Sequence, residues 1–126
     1  MKNNKLSDFI KIRIQIGKSF YIGPGKVILL ENIDTLGSIS SAAKKLGMSY
    51  KKAWRLVKEI NSASPNKIIL TNTGGKGTGG AKISNEGKKF IDSFRNIENK
   101  VLIEANKEKK YLYKIFEKKT TEKEYD

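Results

Sequence analysis

Lys51, Arg55 and Lys58 fall within about 60° of one another on a helical wheel, opposite Ala53, Val57 and Ile60. Three cations on one face of a helix, with apolar residues on the other, can recognise a polyanion. They can pair with phosphates, or an arginine can reach a guanine edge. Ser49 and Tyr50 stand at the N-terminal end of the same segment. There, free backbone N–H groups and the positive end of the helix dipole also favour phosphate. The bland alternative is a solvated charged face, which most surface helices carry. Trp54, at the flank of the apolar face, reads as a core or interface residue rather than a base-stacking one. Tyr50 is ambiguous, because its hydroxyl could reach a phosphate or its ring could cover Trp54.

The rest of the composition narrows the chemistry. The chain has 126 residues, 26 Lys+Arg against 13 Asp+Glu, and a formal net charge of +13. Only three of the cations are arginines: Arg13, Arg55 and Arg95. A surplus of this size points to a polyanionic partner, although richness in Lys, Asn and Ile can also reflect genomic base composition. There is no His and no Cys. Disulfides, thiolate or imidazole metal sites, and Ser–His or Cys–His catalysis are therefore excluded. No acidic pair sits in a recognisable catalytic constellation, so the chain reads as a non-enzyme without a cofactor. No apolar run approaches the ~20 residues needed to cross a bilayer. The segment Met1–Ser7 lacks the apolar stretch of a signal peptide, which makes the cytoplasm the default compartment.

The elements that position these residues can be read from periodicity. Phe9 to Ile22 alternates, with Ile10, Ile12, Ile14 and Ile16 on one face, and a turn at Gly17-Lys18. Gly23-Pro24-Gly25 reads as the end of that hairpin. A helix follows from Lys26, its apolar residues Leu29, Leu30, Ile33 and Leu36 at helical spacing, with Gly37 as its stop. Ser38 or Ser40 caps a short helix through Leu46, and Gly47 breaks it. Ser49 caps a second helix to about Asn61, which Ser64-Pro65-Asn66 ends. Ala42 and Ala43 allow close approach of the two helices, and Leu46, Met48, Ala53 and Leu56 close the space between them. This is a helix-turn-helix.

Downstream, Ile68–Asn72 and Ala81–Ile83 read as antiparallel strands around the loop Thr73–Gly80. Gly75, Gly77 and Gly80 formally satisfy G-x-G-x-x-G. A dinucleotide site would need that turn to open a helix, with an acid on a second parallel strand. Here a strand follows instead, and Glu98 falls on a helix. The phosphate-loop pattern fails as well, since Ala81 follows Gly80. The loop is better read as a wing tip whose five glycines and Lys76 can approach a sugar–phosphate chain. The alternative is a hairpin loop without contacts. Ser84 opens the last and longest helix, with Phe90, Phe94, Ile97 and Val101, then Leu112 and Ile115, as its apolar stripe. That stripe is a candidate dimer seam, against the alternative that it only covers the domain's own core.

The run Gly37-Ser38-Ile39-Ser40-Ser41-Ala42-Ala43, then Gly47-Met48-Ser49-Tyr50-Lys51-Lys52-Ala53-Trp54, resembles the N-terminal DNA-binding domain of the molybdate-responsive (ModE-like) regulators. Asn61–Ala63 and the Gly-rich loop match the same pattern, and the resemblance covers roughly Ile12 to Lys100. It implies a LysR-type winged helix-turn-helix, a homodimer on a palindromic operator, and control of molybdate or related oxyanion uptake genes. Full-length members carry a C-terminal oxyanion-binding region of two small β-barrel modules. The charged residues after the apolar stripe show no strand pattern, so molybdate binding by this chain is not expected.

The expected fold is therefore α+β: an N-terminal β-hairpin, a helix-turn-helix, a β-hairpin wing and a long C-terminal dimerisation helix. The chain reads as one domain, with 1–8 flexible, 84–117 the long helix and 118–126 a disordered tail. Expected contacts to double-stranded DNA are Ser40, Lys44, Ser49, Tyr50, Lys51, Lys52, Arg55 and Lys58 from the helix-turn-helix, and Lys76, Gly77 and Lys82 from the wing. Two alternatives remain: a winged helix that binds another protein, and sequence-independent nucleic-acid binding.

Overall fold

The computed structural model of the chain describes residues 10–72 and 80–117. The chain divides into two compact units, one of Lys11–Arg95 and a second to which the last helix belongs from Asn96 onward. In the first unit, β1 (Ile14–Ile16) pairs antiparallel with β2 (Phe20–Ile22), in the register Ile14↔Ile22, Gln15↔Tyr21 and Ile16↔Phe20. The turn between them contains Gly17, as the sequence indicates. The strand is shorter than the alternation from Phe9 predicts, and Phe9 itself lies outside the described residues. After Ile22 the chain leaves the sheet, so nothing is left to pair with Ile12. The side chain of Ile12 still packs on the core formed by Ile22, Val27 and Phe94.

Gly23-Pro24-Gly25 ends the hairpin as expected, and it also starts the next helix, two residues ahead of Lys26. α1 spans Pro24–Leu36 with Gly23 as its N-cap and Pro24 in its first turn. A proline there loses nothing, because the first N–H groups of a helix have no intrahelical partner and its φ is already helical. α1 supplies Val27, Leu29, Leu30 and Ile33, all without measurable exposure. Burying each of these contributes about 1.5–3 kcal/mol.

α2 (Ile39–Leu46) and α3 (Tyr50–Ala63) follow as expected. Ser38, rather than Ser40, is the α2 cap: its Oγ accepts from the Ser41 N–H at 2.9 Å. The turn between the helices rests on Gly47, at φ 69°. Gly47 N–H donates to Lys44 O at 3.2 Å and Met48 N–H to Ala43 O at 3.0 Å. This left-handed ending recovers two helix-end carbonyls and redirects the chain within three residues. Ser49 Oγ then accepts from the Lys52 N–H at 3.0 Å and starts α3. α2 and α3 meet α1 through Ile39, Ala42, Ala43, Ala53, Val57 and Ile60, which share a single buried cluster with Leu29, Leu30 and Ile33.

β3 (Ile69–Asn72) and β4 (Gly80–Ile83) form the second antiparallel hairpin, pairing Ile69↔Ile83 through Asn72↔Gly80. Ile68, Ile69, Ala81 and Ile83 join the main cluster. The Ala81 N–H donates to Gly37 O at 2.9 Å, which ties the wing base to the end of α1. Of the wing tip predicted over Thr73–Gly80, Gly80 falls in β4 and 73–79 lie outside the described residues, as do the segments predicted flexible (1–8) and disordered (118–126).

α4 (Asn85–Phe116) is a single 32-residue helix. Ser84 caps it, accepting from the Gly87 N–H at 3.0 Å. The Arg95 guanidinium grips Glu31 of α1 with two hydrogen bonds of 2.9 and 2.8 Å. The apolar stripe read from the sequence divides into a covered part and an exposed part. Phe90 and Phe94 pack on the first unit's core, but Ile97 and Val101 are exposed. The buried positions beyond Phe94 are instead Glu98 and Leu102. Burial continues along an every-fourth-residue row, whereas hydrophobicity alone favoured a 4-3-4 seam that avoided the charge at Glu98.

Gly87 is where α4 meets the wing base. A Cβ there would stand 2.5 Å from Ile83 Cγ2 and 2.8 Å from Ile68 O. The second neighbour is backbone and cannot move aside cheaply. Gly87→Ala is expected to destabilise the fold by about 1–3 kcal/mol, read as a lower urea midpoint with an unchanged slope.

Candidate nucleic-acid interface

The inner face of α3 fixes what its outer face can do. Ala53, Val57 and Ile60 are locked in the core, so Lys51, Lys52, Arg55 and Lys58 must point outward, and all four are exposed. Ser49 is exposed too, but its Oγ is engaged as the cap. Arg55 Nη1 lies 3.1 Å from Glu59 Oε2, one turn further on. Both side chains are about half exposed, so the pair is weak. It holds the guanidinium along the helix surface without removing it from solvent.

Tyr50 is 53% exposed, and its ring stands edge-on to Trp54 at 6.3 Å. The Trp54 indole N–H donates to the Tyr50 hydroxyl oxygen. The ring therefore lies against Trp54, and the hydroxyl, which accepts from the indole, keeps its own proton to donate. Trp54 itself is partly buried against the main cluster, as its place on the wheel indicates.

Ser40 and Lys44 are exposed on α2, and Lys82 is exposed on β4 opposite Leu70. Lys76 and Gly77 lie outside the described residues. The structure brings together Lys52, Arg55 and Lys58, which line one open groove of about 1170 Å³. Its other wall is the N-terminal hairpin, which contributes Arg13 and Lys18, together with Lys26 from the start of α1. These three cations were not singled out from the sequence. Only their charge could have flagged them, because they are separated from α3 by some thirty residues.

Asn61 joins the C-terminal end of α3 to the wing. Its Oδ1 accepts from the Ile68 and Ile69 N–H groups at 2.9 and 3.0 Å. Its Nδ2 donates to Ile69 O at 3.0 Å. One side chain thus satisfies three backbone groups at the entry to β3.

A hairpin, three helices of which two form a helix-turn-helix, and a β-hairpin wing define a winged helix-turn-helix protein with a cationic outer helix face. The chain is 35% identical over 85 residues to the DNA-binding transcriptional dual regulator ModE of Escherichia coli K12, covering 68% of this chain and 32% of that one. It is 34% identical over 98 residues to ModE of Haemophilus influenzae, covering 78% and 37%. To the molybdenum-pterin-binding protein MopB of Rhodobacter capsulatus it is 39% identical over 77 residues, covering 61% and 28%. Over 61–78% of its length the chain is similar to these proteins, consistent with a ModE-like N-terminal DNA-binding domain, and it spans about a third of their length. No family model matches it.

Asn61→Ala would leave the Ile68 and Ile69 N–H groups and the Ile69 carbonyl without their partner. The expected loss is about 1–3 kcal/mol. Hydrogen exchange should also speed up at the Ile68 and Ile69 amides more than at Leu29 or Leu30.

Proposed function

We propose that the chain is a sequence-specific DNA-binding transcriptional regulator that acts as a homodimer and controls genes of molybdate or related oxyanion uptake. α3 would enter the major groove, and the Gly-rich wing 73–82 would follow the backbone. One observation carries this reading: α3 is fastened by its apolar face and presents Lys51, Arg55 and Lys58 outward, with Ser49 and Tyr50 at its leading end. The N-terminal residues of such a helix are the ones that reach base edges. The relatives' names, as transcriptional regulators, support the same reading. Phosphate contacts fall to Lys44, Lys51, Lys52, Lys76 and Lys82, with Ser40 and Gly77 close to the backbone.

Dimerisation is assigned to α4, where Ile97, Val101, Leu112 and Ile115 are all exposed apolar residues. An exposed stripe of this kind on a helix marks an interaction surface. Ile97→Glu with Val101→Glu is expected to convert the dimer to monomer in sedimentation equilibrium; an unchanged mass would remove this stripe from the interface. Regulation is not assigned to molybdate held by this chain, and equilibrium dialysis that gave saturable molybdate binding would refute that part.

The DNA reading is tested by fluorescence anisotropy on duplex from the gene's own upstream region, against a shuffled duplex. A specific regulator prefers its operator by about a thousandfold or more. Arg55→Ala should lose about 1–3 kcal/mol on the operator and little on shuffled DNA if Arg55 reads a guanine. Equal loss on both makes Arg55 a phosphate contact. Equal wild-type affinity for both duplexes would favour the sequence-independent alternative, and absence of binding at low salt the protein-interaction module.

A further inference from the structure

We propose that the groove between the N-terminal hairpin and α3 seats one sugar–phosphate strand of duplex DNA, beside the major groove that α3 enters. This inference rests on the DNA-binding reading above and adds a second contacting element to it. The groove is lined by Arg13, Lys18, Lys26, Lys52, Arg55 and Lys58. Its one carboxylate, Glu59, is paired with Arg55. Among the described residues, no carboxylate forms an ion pair with the other five cations. Like charges lining one groove repel one another, and a bound polyanion relieves that repulsion.

One of the lining cations, Lys26, is held in place by its surroundings. Lys26 is only 8% exposed, and its Nζ donates to Tyr21 O at 3.0 Å. The Lys26 ammonium and the Arg13 guanidinium each lie 4.0 Å from the centroid of the Tyr21 ring. The ring holds both cations through its negative face but neutralises neither.

The same contact distinguishes between nucleic-acid ligands. A single strand binds such grooves by stacking bases on aromatic rings, yet Tyr21 is already engaged by two cations, and Phe20 packs on the core with the Lys26 ammonium 5.0 Å from its ring centroid. A duplex backbone needs only the charges. From Lys52 to Lys58 the α3 wall runs about 9 Å, nearly the axial rise of three nucleotides on one strand. Lys52, Arg55 and Lys58 belong both to this wall and to the outer face of α3, so a duplex on that face brings a strand alongside the hairpin.

The test uses the full chain in the anisotropy assay at several salt concentrations, comparing wild type with Lys18→Ala and with Arg13→Gln/Lys18→Ala. Each lost phosphate contact should reduce the slope of log affinity against log salt by about 0.9. The double variant should therefore lose about 1.8, equally on operator and shuffled duplex, with their affinity ratio kept. Lys18→Arg should restore the slope of the single variant. Lys18 lies in the exposed turn, so Lys18→Ala carries the test alone if the double variant does not fold. An unchanged slope in Lys18→Ala, with Arg55→Ala still losing operator preference, would overturn the groove and leave the α3 reading standing. Tighter binding of single-stranded than duplex DNA would also overturn it. Absence of wild-type duplex binding would overturn both.

Discussion

The fold depends on how closely α2 and α3 can approach. Ala42, Ala43 and Ala53 are at most 2% exposed and sit in one cluster with Leu29, Leu30 and Ile33 of α1. Small side chains at that crossing let the two backbones come together, and the larger α1 residues fill the space beneath. Larger residues there would push α3 away from α1, and both the wing and the hairpin groove take their positions from α3. A core tolerates such overpacking poorly, at about 1–3 kcal/mol per misfit. The three alanines therefore set where the cations of α3 point, although none of them bears a charge.

That crossing explains why the outer face can be so basic. A helix fastened by Ala53, Val57 and Ile60 does not need its remaining positions for stability. Lys51, Lys52, Arg55 and Lys58 can then repel one another without unseating it, and Glu59 offsets part of that repulsion for Arg55. Exposed charges more than about 8–10 Å apart are largely screened at physiological salt. The local cluster consequently matters more than the chain's total of +13. Gathering six cations along one groove concentrates the field where a polyanion would lie.

Much of this was legible in the sequence, for local reasons. The capping by Ser38 and Ser49 and the break at Gly47 are set by residues within a few positions of one another, so pattern reading finds them. Gly-Pro-Gly signals a strand end and a helix start alike; it is both here, which moves the helix start from the expected Lys26 to Pro24. The row Phe94-Glu98-Leu102 was hidden because it includes a charged residue. The groove was out of reach for a different reason: its walls come from Arg13–Lys26 and Lys52–Ala63, and only the tertiary fold sets them face to face. Lys76 and Gly77 lie outside the described residues.

Asn61 shows how α3 and the wing base can act as one piece. β3 begins where the Asn61 side chain takes up the Ile68 and Ile69 N–H groups. After the other strand, the Ser84 N–H donates to Ile68 O at 2.9 Å and the Ser84 hydroxyl to Lys67 O at 2.7 Å. Ile68 is thus held from α3 on one side and from the start of α4 on the other. A wing hinged freely at its base would pay ordering entropy each time it settled on a backbone. Fastened at Ile68 and again at Gly37 through Ala81, the wing base keeps its place relative to α3 before any ligand arrives. The distance between α3 and the wing base is then a property of the folded chain, and Asn61 sets it as well as contributing to stability.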